Sequence, residues 1–288
     1  MKQTSPTPTS AKEKTTFFSA SPVMRKVKEI GYHAEAGDNT ASYGGILIKT
    51  GFFLLMTVVG IIAYLFAQVH WFSHQPMIEG LQVHGFEFSI SIPQAMALLA
   101  ISIVCVITQL LSGFFPELLP VTGTLYSMSQ GALISCLIFT VLGGQHLEYL
   151  GLLALVITVI VVASMAAMYA KGIIKVDKKF RMILLTLIFS SMGLSLVILI
   201  CSFIPGVNVF VAAILNNLVV SVFLSIVSII ISTMFLISEF AVMDDVVTNH
   251  YPAKFEWNVA FGLAFAILWI YVKILEIIMR IAGSRRGR

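Results

Sequence analysis

Seven apolar runs separated by short polar stretches dominate the chain, near residues 46–69, 94–115, 122–143, 147–170, 182–204, 218–241 and 258–280. A run of about 20 apolar residues spans a hydrocarbon core ~30 Å thick as an α-helix, because each residue adds ~1.5 Å. The runs are continuous and lack the period-two alternation of a barrel strand, and backbone polar groups inside a bilayer must be bonded internally. The pattern predicts an all-α integral membrane protein with seven transmembrane helices.

Composition removes the soluble alternative. The 288 residues are 58% hydrophobic and 11% charged, with a mean hydropathy of +0.95. That leaves too little polar surface to cover a globule in water. The opening stretch "MKQTSPTPTSAKEKTTFFSA" is rich in Ser, Thr, Lys and Pro and has no apolar core of a signal peptide, so it is expected to be a disordered tail. "SPVMRKVKEIGYHAEAG" then suits a short basic turn on the membrane surface. Residues 1–44 thus form a disordered to interfacial tail, 45–282 a seven-helix membrane domain, and 283–288 a basic C-terminal tail. Neither the tail nor the loop from His70 to Pro93 is long enough to bury a core of its own.

Basic residues set the orientation. The N-terminal tail carries Lys2, Lys12, Lys14, Arg25, Lys26 and Lys28, and "KGIIKVDKKFR" after the fourth run carries Lys171, Lys175, Lys178, Lys179 and Arg181. Lys254 lies in the sixth connection, and the connections of the opposite face have no Lys or Arg. The positive-inside rule places the N-terminus in the cytoplasm of a multi-pass cell-membrane protein. Seven spans then put "RRGR" outside, against that rule, unless the last segment dips in and returns.

Little in the sequence suggests catalysis. Cys105, Cys136 and Cys201 all fall inside runs without a CxxC spacing, which fits small buried residues better than a disulfide framework or zinc site. His70 and His74 stand four apart in "HWFSH", but Trp71 and Phe72 make this stretch an interfacial aromatic anchor before a metal site. HExxH and GxxxxGK[ST] are absent, and Asp38, Asp177, Asp244 and Asp245 all lie at or beyond the ends of runs, which does not suit an intramembrane aspartyl protease. No enzyme activity, cofactor, metal or nucleic acid is expected.

The sixth run carries a pattern. From Met182 to Ser238 the chain has no Asp, Glu, Lys or Arg, so Glu239 is the first charge after a long neutral stretch. Reading back from it, Ser232, Ser228, Ser225, Ser221 and Asn217 recur at steps that draw one stripe along a helix face. Small residues allow close helix packing and serine hydroxyls bond within their own helix, which is one reading. The other is a polar lane facing the bundle interior, with Glu239 as a titratable group at its mouth, since ionisable groups within membranes are costly to place. Glu239 exposed at headgroup depth and paired with Lys254 would be a plainer role. Gln130 in the third run, beside Ser127 and Gly131, suits the same interior, whereas Lys49, Lys273, Glu276 and Arg280 suit snorkelling or paired interfacial charges.

"SPVMRKVKE", "YSMSQGALIS", "YAKGIIKVDKKFRMIL" and "PAKFEWNVAFGLAFAILWIYVKILEIIMR", in that order, resemble the bacterial branch of the Bax inhibitor 1 (YccA-like, TMBIM) family over about residues 21–282. The resemblance implies six helices around a central last helix and a pH-sensitive leak of calcium or other cations. It also implies, for some bacterial members, the restraint of a membrane protease. The family's acid near the cytoplasmic end of the sixth helix matches Glu239, with Asp244 trailing it and Asp245 beside that. Its acid on the last helix has no counterpart between Asn258 and Val272, and an acidic position of the third helix is Gln130 here.

Two functions follow as expectations. The first is a pH-sensitive cation leak with calcium as the ion, in which Glu239 gates or contacts the ion beside Asp244, Asp245 and Gln130. Protonating Glu239 would remove a cation contact, and with no second acid to share the proton the response follows one titration. The alternative is a non-conducting membrane protein that binds and modulates a membrane protease or other membrane complex through its basic tail, with membrane lipid as its surroundings in either case.

Overall fold

The computed structural model describes residues 40–286 apart from 73, 84–85, 143–145, 203, 205, 208, 210–212 and 214–216. The proposed tail, with its basic residues, lies outside the described residues up to position 39. Among the described residues, seven helices are long and apolar enough to cross a membrane. They are α1 (Tyr43–Ala67), α2 (Ile92–Phe114), α3 (Leu119–Ser135), α4 (Tyr149–Ala170), α5 (Lys178–Ser202), α6 (Leu218–Thr248) and α7 (Glu256–Arg286).

Local chemistry fixes several starts. Ser42 is extended and its hydroxyl accepts from the Gly45 N–H at 3.0 Å, capping α1. Ser91 does the same for α2, where Pro93 occupies a first-turn position that needs no donor. Asn217 caps α6 by accepting from Val219 and Val220. Within the helices Thr50, Thr57, Thr108 and Thr158 donate to carbonyls four residues back, so their hydroxyls need no partner from lipid.

Packing is tightest between α1 and α3. Gly60 lies against the carbonyl of Met128 and Gly131 against that of Thr57, so a Cβ at either position would strike backbone. The last helix packs against α1, α3, α4 and α6. A row of edge-on rings joins three helices: Phe53 of α1, Phe261 of α7 and Tyr126 of α3 have centroids 5.5–5.6 Å apart in successive pairs.

The loop after α1 is not structureless. Met77–Val83 (β1) and Phe86–Ser91 (β2) form an antiparallel hairpin whose register shifts between Ile78 and Leu81. The alternation in "FEFSIS" accounts for β2, which runs directly into α2 and packs on the stretch Cys136–Leu142. That stretch and Gln68–Phe72 are π-helical extensions of α3 and α1. Between them a buried polar cluster forms: Gln94 Nε2 donates to Tyr64 at 2.8 Å and to Thr140 at 3.1 Å, and Thr140 donates to Gln68 at 3.0 Å.

At the other end the chain entering α1 meets the turn between α6 and α7. Ala41 N–H donates to the Tyr251 carbonyl at 2.7 Å, and Thr40 pairs with Pro252. The ends of α4 and α6 join them through Tyr43, Tyr169 and Asp244. The bundle therefore has a Tyr43 end and a hairpin end.

Candidate functional site

The sixth helix is longer than its apolar run. It continues past 241 to Thr248 through Asp244 and Asp245, so these acids lie within the helix and not beyond its end. Glu239 consequently sits nine residues before the terminus, about 14 Å inside it along the axis. It is half-buried there, deeper than an acid at the mouth of a span.

Its neighbour across the helix interface is Gly262 of α7. The Glu239 carboxylate occupies the space that a Cβ on residue 262 would fill. Among the described residues no group donates to Glu239 and no cation pairs with it. The ion pair with Lys254 does not form: Lys254 Nζ lies 5.6 Å from the centre of the Phe255 ring. One turn from Glu239 toward the hairpin end, on the same face of α6, Phe235 packs on Phe265 and Trp269 at 5.8 and 6.0 Å. One residue beyond Glu239, Phe240 packs against Tyr169.

The serine stripe divides. Ser221, Ser225 and Ser232 are buried and Ser228 half-buried, but Asn217 is exposed and serves as the cap of α6. Ser225 donates to the Ser221 carbonyl at 3.0 Å and Ser232 to that of Ile229 at 2.9 Å. A hydroxyl whose proton is taken by its own helix presents only lone pairs outward, which suits a cation and not an anion.

The remaining predicted positions are not gathered around Glu239. Gln130 accepts from the Cys105 thiol of α2 at 3.4 Å. Asp244 accepts from Tyr43 at 2.9 Å and Tyr169 at 2.6 Å, tying α1, α4 and α6 together. Asp245 accepts from the Asn249 amide at 2.9 Å. Burial and the nearby Asp245 charge push the Tyr251 phenol above its ordinary range.

A second acid lies buried at the start of α7. Glu256 opens α7 and is 5% exposed. Its Oε2 meets Lys49 Nζ at 2.6 Å, and its Oε1 accepts from the Ser42 N–H at 2.8 Å and hydroxyl at 3.2 Å. It rests on Gly45 as Glu239 rests on Gly262, and Lys49 also lies 5.0 Å over the Trp257 ring. Lys49 is therefore a paired charge and not a free snorkelling one. The only sequence signal was a lysine at the start of one span and a glutamate at the start of another. Lys273, Glu276 and Arg280 pair with one another on α7, toward the hairpin end.

The two acids contrast in electrostatics. Glu256 is saturated by a cation and two donors, which makes it a clasp between α1 and α7. Glu239 has the geometry of a seat without any of the partners, so its charged form has unmet capacity for a cation. Residues 21–283 match a family model described as Bax inhibitor 1 like. No curated protein and no solved structure matches the chain.

Proposed function

The chain belongs to the Bax inhibitor 1 like family, and we propose that it acts in the membrane as a pH-sensitive leak for cations, calcium foremost, with Glu239 as the ion contact that gates it. One observation carries this reading: a half-buried carboxylate well inside a membrane helix that, among the described residues, has neither cation nor donor. A purely structural acid in such a place would resemble Glu256, held by Lys49 and Ser42. The buried hydroxyls of Ser225 and Ser232, donating within their own helix, extend the acceptor face along α6 toward the hairpin end. The Tyr43 end is the cytoplasmic one in this reading, because Lys171, Lys175, Lys178 and Lys179 lie there.

The test is calcium flux into liposomes holding the purified protein, across a pH series. The leak predicts flux above that of empty vesicles and its loss in Glu239→Gln. Flux equal to empty vesicles at every pH would leave a non-conducting partner of a membrane protease or other membrane complex as the better account. A stoichiometric companion on purification in mild detergent would then support that role.

A further inference from the structure

The connection from Lys171 to Arg181 stands apart from the Glu239 site. Its eleven residues, "KGIIKVDKKFR", hold five cations and one acid. The acid is already engaged: Asp177 Oδ1 accepts from the Phe180 N–H at 2.8 Å and caps α5. Lys171, Lys175, Lys178 and Lys179 are exposed, and among the described residues none of their ammonium groups has a partner. Arg181 turns inward at the first turn of α5, where its Nε is buried without an acceptor. Between the cations Gly172 bends the chain at φ 67°, and Ile173 projects with 64% of its surface exposed.

The helix that follows is the least supported of the seven. Only 6% of the apolar stretch of α5 is buried, against 50% for the last span, and it rests chiefly on α6. Lipid therefore surrounds α5 along most of its length. The abundant anions within reach of cations at its first turn are those of the lipid headgroups.

We infer that the 171–181 connection is a docking site for anionic phospholipid headgroups, which hold the start of α5 against the bundle. A phosphate offers strong acceptors to the four exposed lysine ammonium groups, which have none among the described residues. A projecting Ile173 enters the boundary between headgroup and acyl chain, as apolar residues among basic ones do at membrane surfaces. Zwitterionic lipid offers the same phosphate already balanced by its own cation, so the site selects net negative headgroups. This inference does not depend on ion conduction.

The test uses full-length protein in phosphatidylcholine vesicles with trace spin-labelled phosphatidylglycerol or phosphatidylcholine, reading the motionally restricted fraction of each. The wild type should prefer the anionic lipid roughly fivefold or more, about the weight of one lysine close to an anionic headgroup. Replacing Lys171, Lys175, Lys178 and Lys179 together by Gln should bring the ratio near unity, and replacing all four by Arg should retain it. Raising salt from ~0.1 M to ~1 M shortens screening from ~10 Å to ~3 Å and should weaken the wild-type preference even if the glutamine variant proves hard to purify. A glutamine variant with the wild-type ratio overturns the inference, as does an equal loss on neutralising Lys2, Lys12 and Lys14. Inorganic phosphate that abolishes the preference where chloride of equal ionic strength does not assigns a soluble-anion site instead. Efficient crosslinking between copies through a cysteine at position 173 assigns the face to a second chain.

Discussion

Glu239 of α6 and Gly262 of α7 fit as side chain and seat, the carboxylate filling the volume where residue 262 lacks a Cβ. Gly262→Ala puts a methyl group into that volume, so the acid must swing away or the two helices must part. Overpacking a rigid core costs ~1–3 kcal/mol, and because the displaced atoms are the far end of a flexible side chain the cost here should fall at the ~1 kcal/mol end. The variant should melt at a lower temperature in detergent. Pairing it with Glu239→Asp, one methylene shorter, should restore part of the loss, whereas pairing it with Glu239→Gln, of equal length, should not. Equal melting of both double variants would mean that the contact is not the source of the cost.

If the proposed leak runs through Glu239, its pH dependence follows from the ionisation that would bind a cation there. Only the charged form of Glu239 attracts one, so flux should be highest above the pH at which the group titrates and fall as acid protonates it. Among the described residues Glu239 has no second acid paired with it, so the fall should have the steepness of a single proton. Glu239→Gln should give low flux at all pH values. A full pH response surviving in that variant would place the sensor elsewhere, with Asp244 and Asp245 next to replace.

The seven helices were legible because a bilayer imposes one rule on every span: about 20 apolar residues, bonded within themselves. The ends were less so. Hydrated interfaces tolerate charge, and α6 runs on through Asp244 and Asp245 where the apolar pattern stops. The hairpin was written in "FEFSIS" but lay in a segment too short to suggest an independent fold. Glu239 stood out as the first charge after a long neutral stretch, whereas its seat required knowing which glycine of α7 comes opposite. Glu256 is not legible in the sequence because an acid at the start of a span looks interfacial, and only the fold brings Lys49 and Ser42 to it. Gln130 suits the interior as well by its spacing, and its partner proved to be Cys105 of the neighbouring helix.

The clasp at Glu256 should matter for stability more than for conduction. Lys49→Met leaves a carboxylate 7% exposed with only the Ser42 donors. The loss should be about 2–3 kcal/mol, below the ~3–5 kcal/mol of a fully buried pair, because the Lys49 side chain keeps 21% exposure. Glu256→Gln still accepts from the Ser42 N–H, and together with Lys49→Met it removes both charges. The double variant should therefore be more stable than Lys49→Met alone. Melting temperatures of the three variants decide this, and a double variant no better than the single one would show that the Lys49 charge was not balancing Glu256.

The rings one turn from Glu239 lead to the last prediction. Phe235 meets Phe265 edge-on at 5.8 Å with an interplanar angle of 82°, Phe265 lies 5.8 Å from Trp269, and Tyr126 stands 5.8 Å from Phe265 on the other side. If a cation held at Glu239 proceeds along α6 toward Ser232 and Ser225, it passes this apolar group. Narrow apolar constrictions stop ions by expelling the water that hydrates them. Phe235→Ala removes the ring one turn before the acid on α6 and should raise calcium flux several-fold at every pH, whereas Phe235→Leu keeps most of the apolar bulk and should raise it less. The pH response should persist in Phe235→Ala, because Glu239 is untouched, and should flatten in Phe235→Ala combined with Glu239→Gln. Losing a half-buried ring also costs stability, about 2–3 kcal/mol against ~3–5 kcal/mol for a fully buried Phe, so flux is read only from protein that remains monodisperse. Unchanged flux in folded Phe235→Ala would mean that ions reaching Glu239 do not pass these rings, and a path on the α4 side of α6, past Phe240 and Tyr169, would be the next to block.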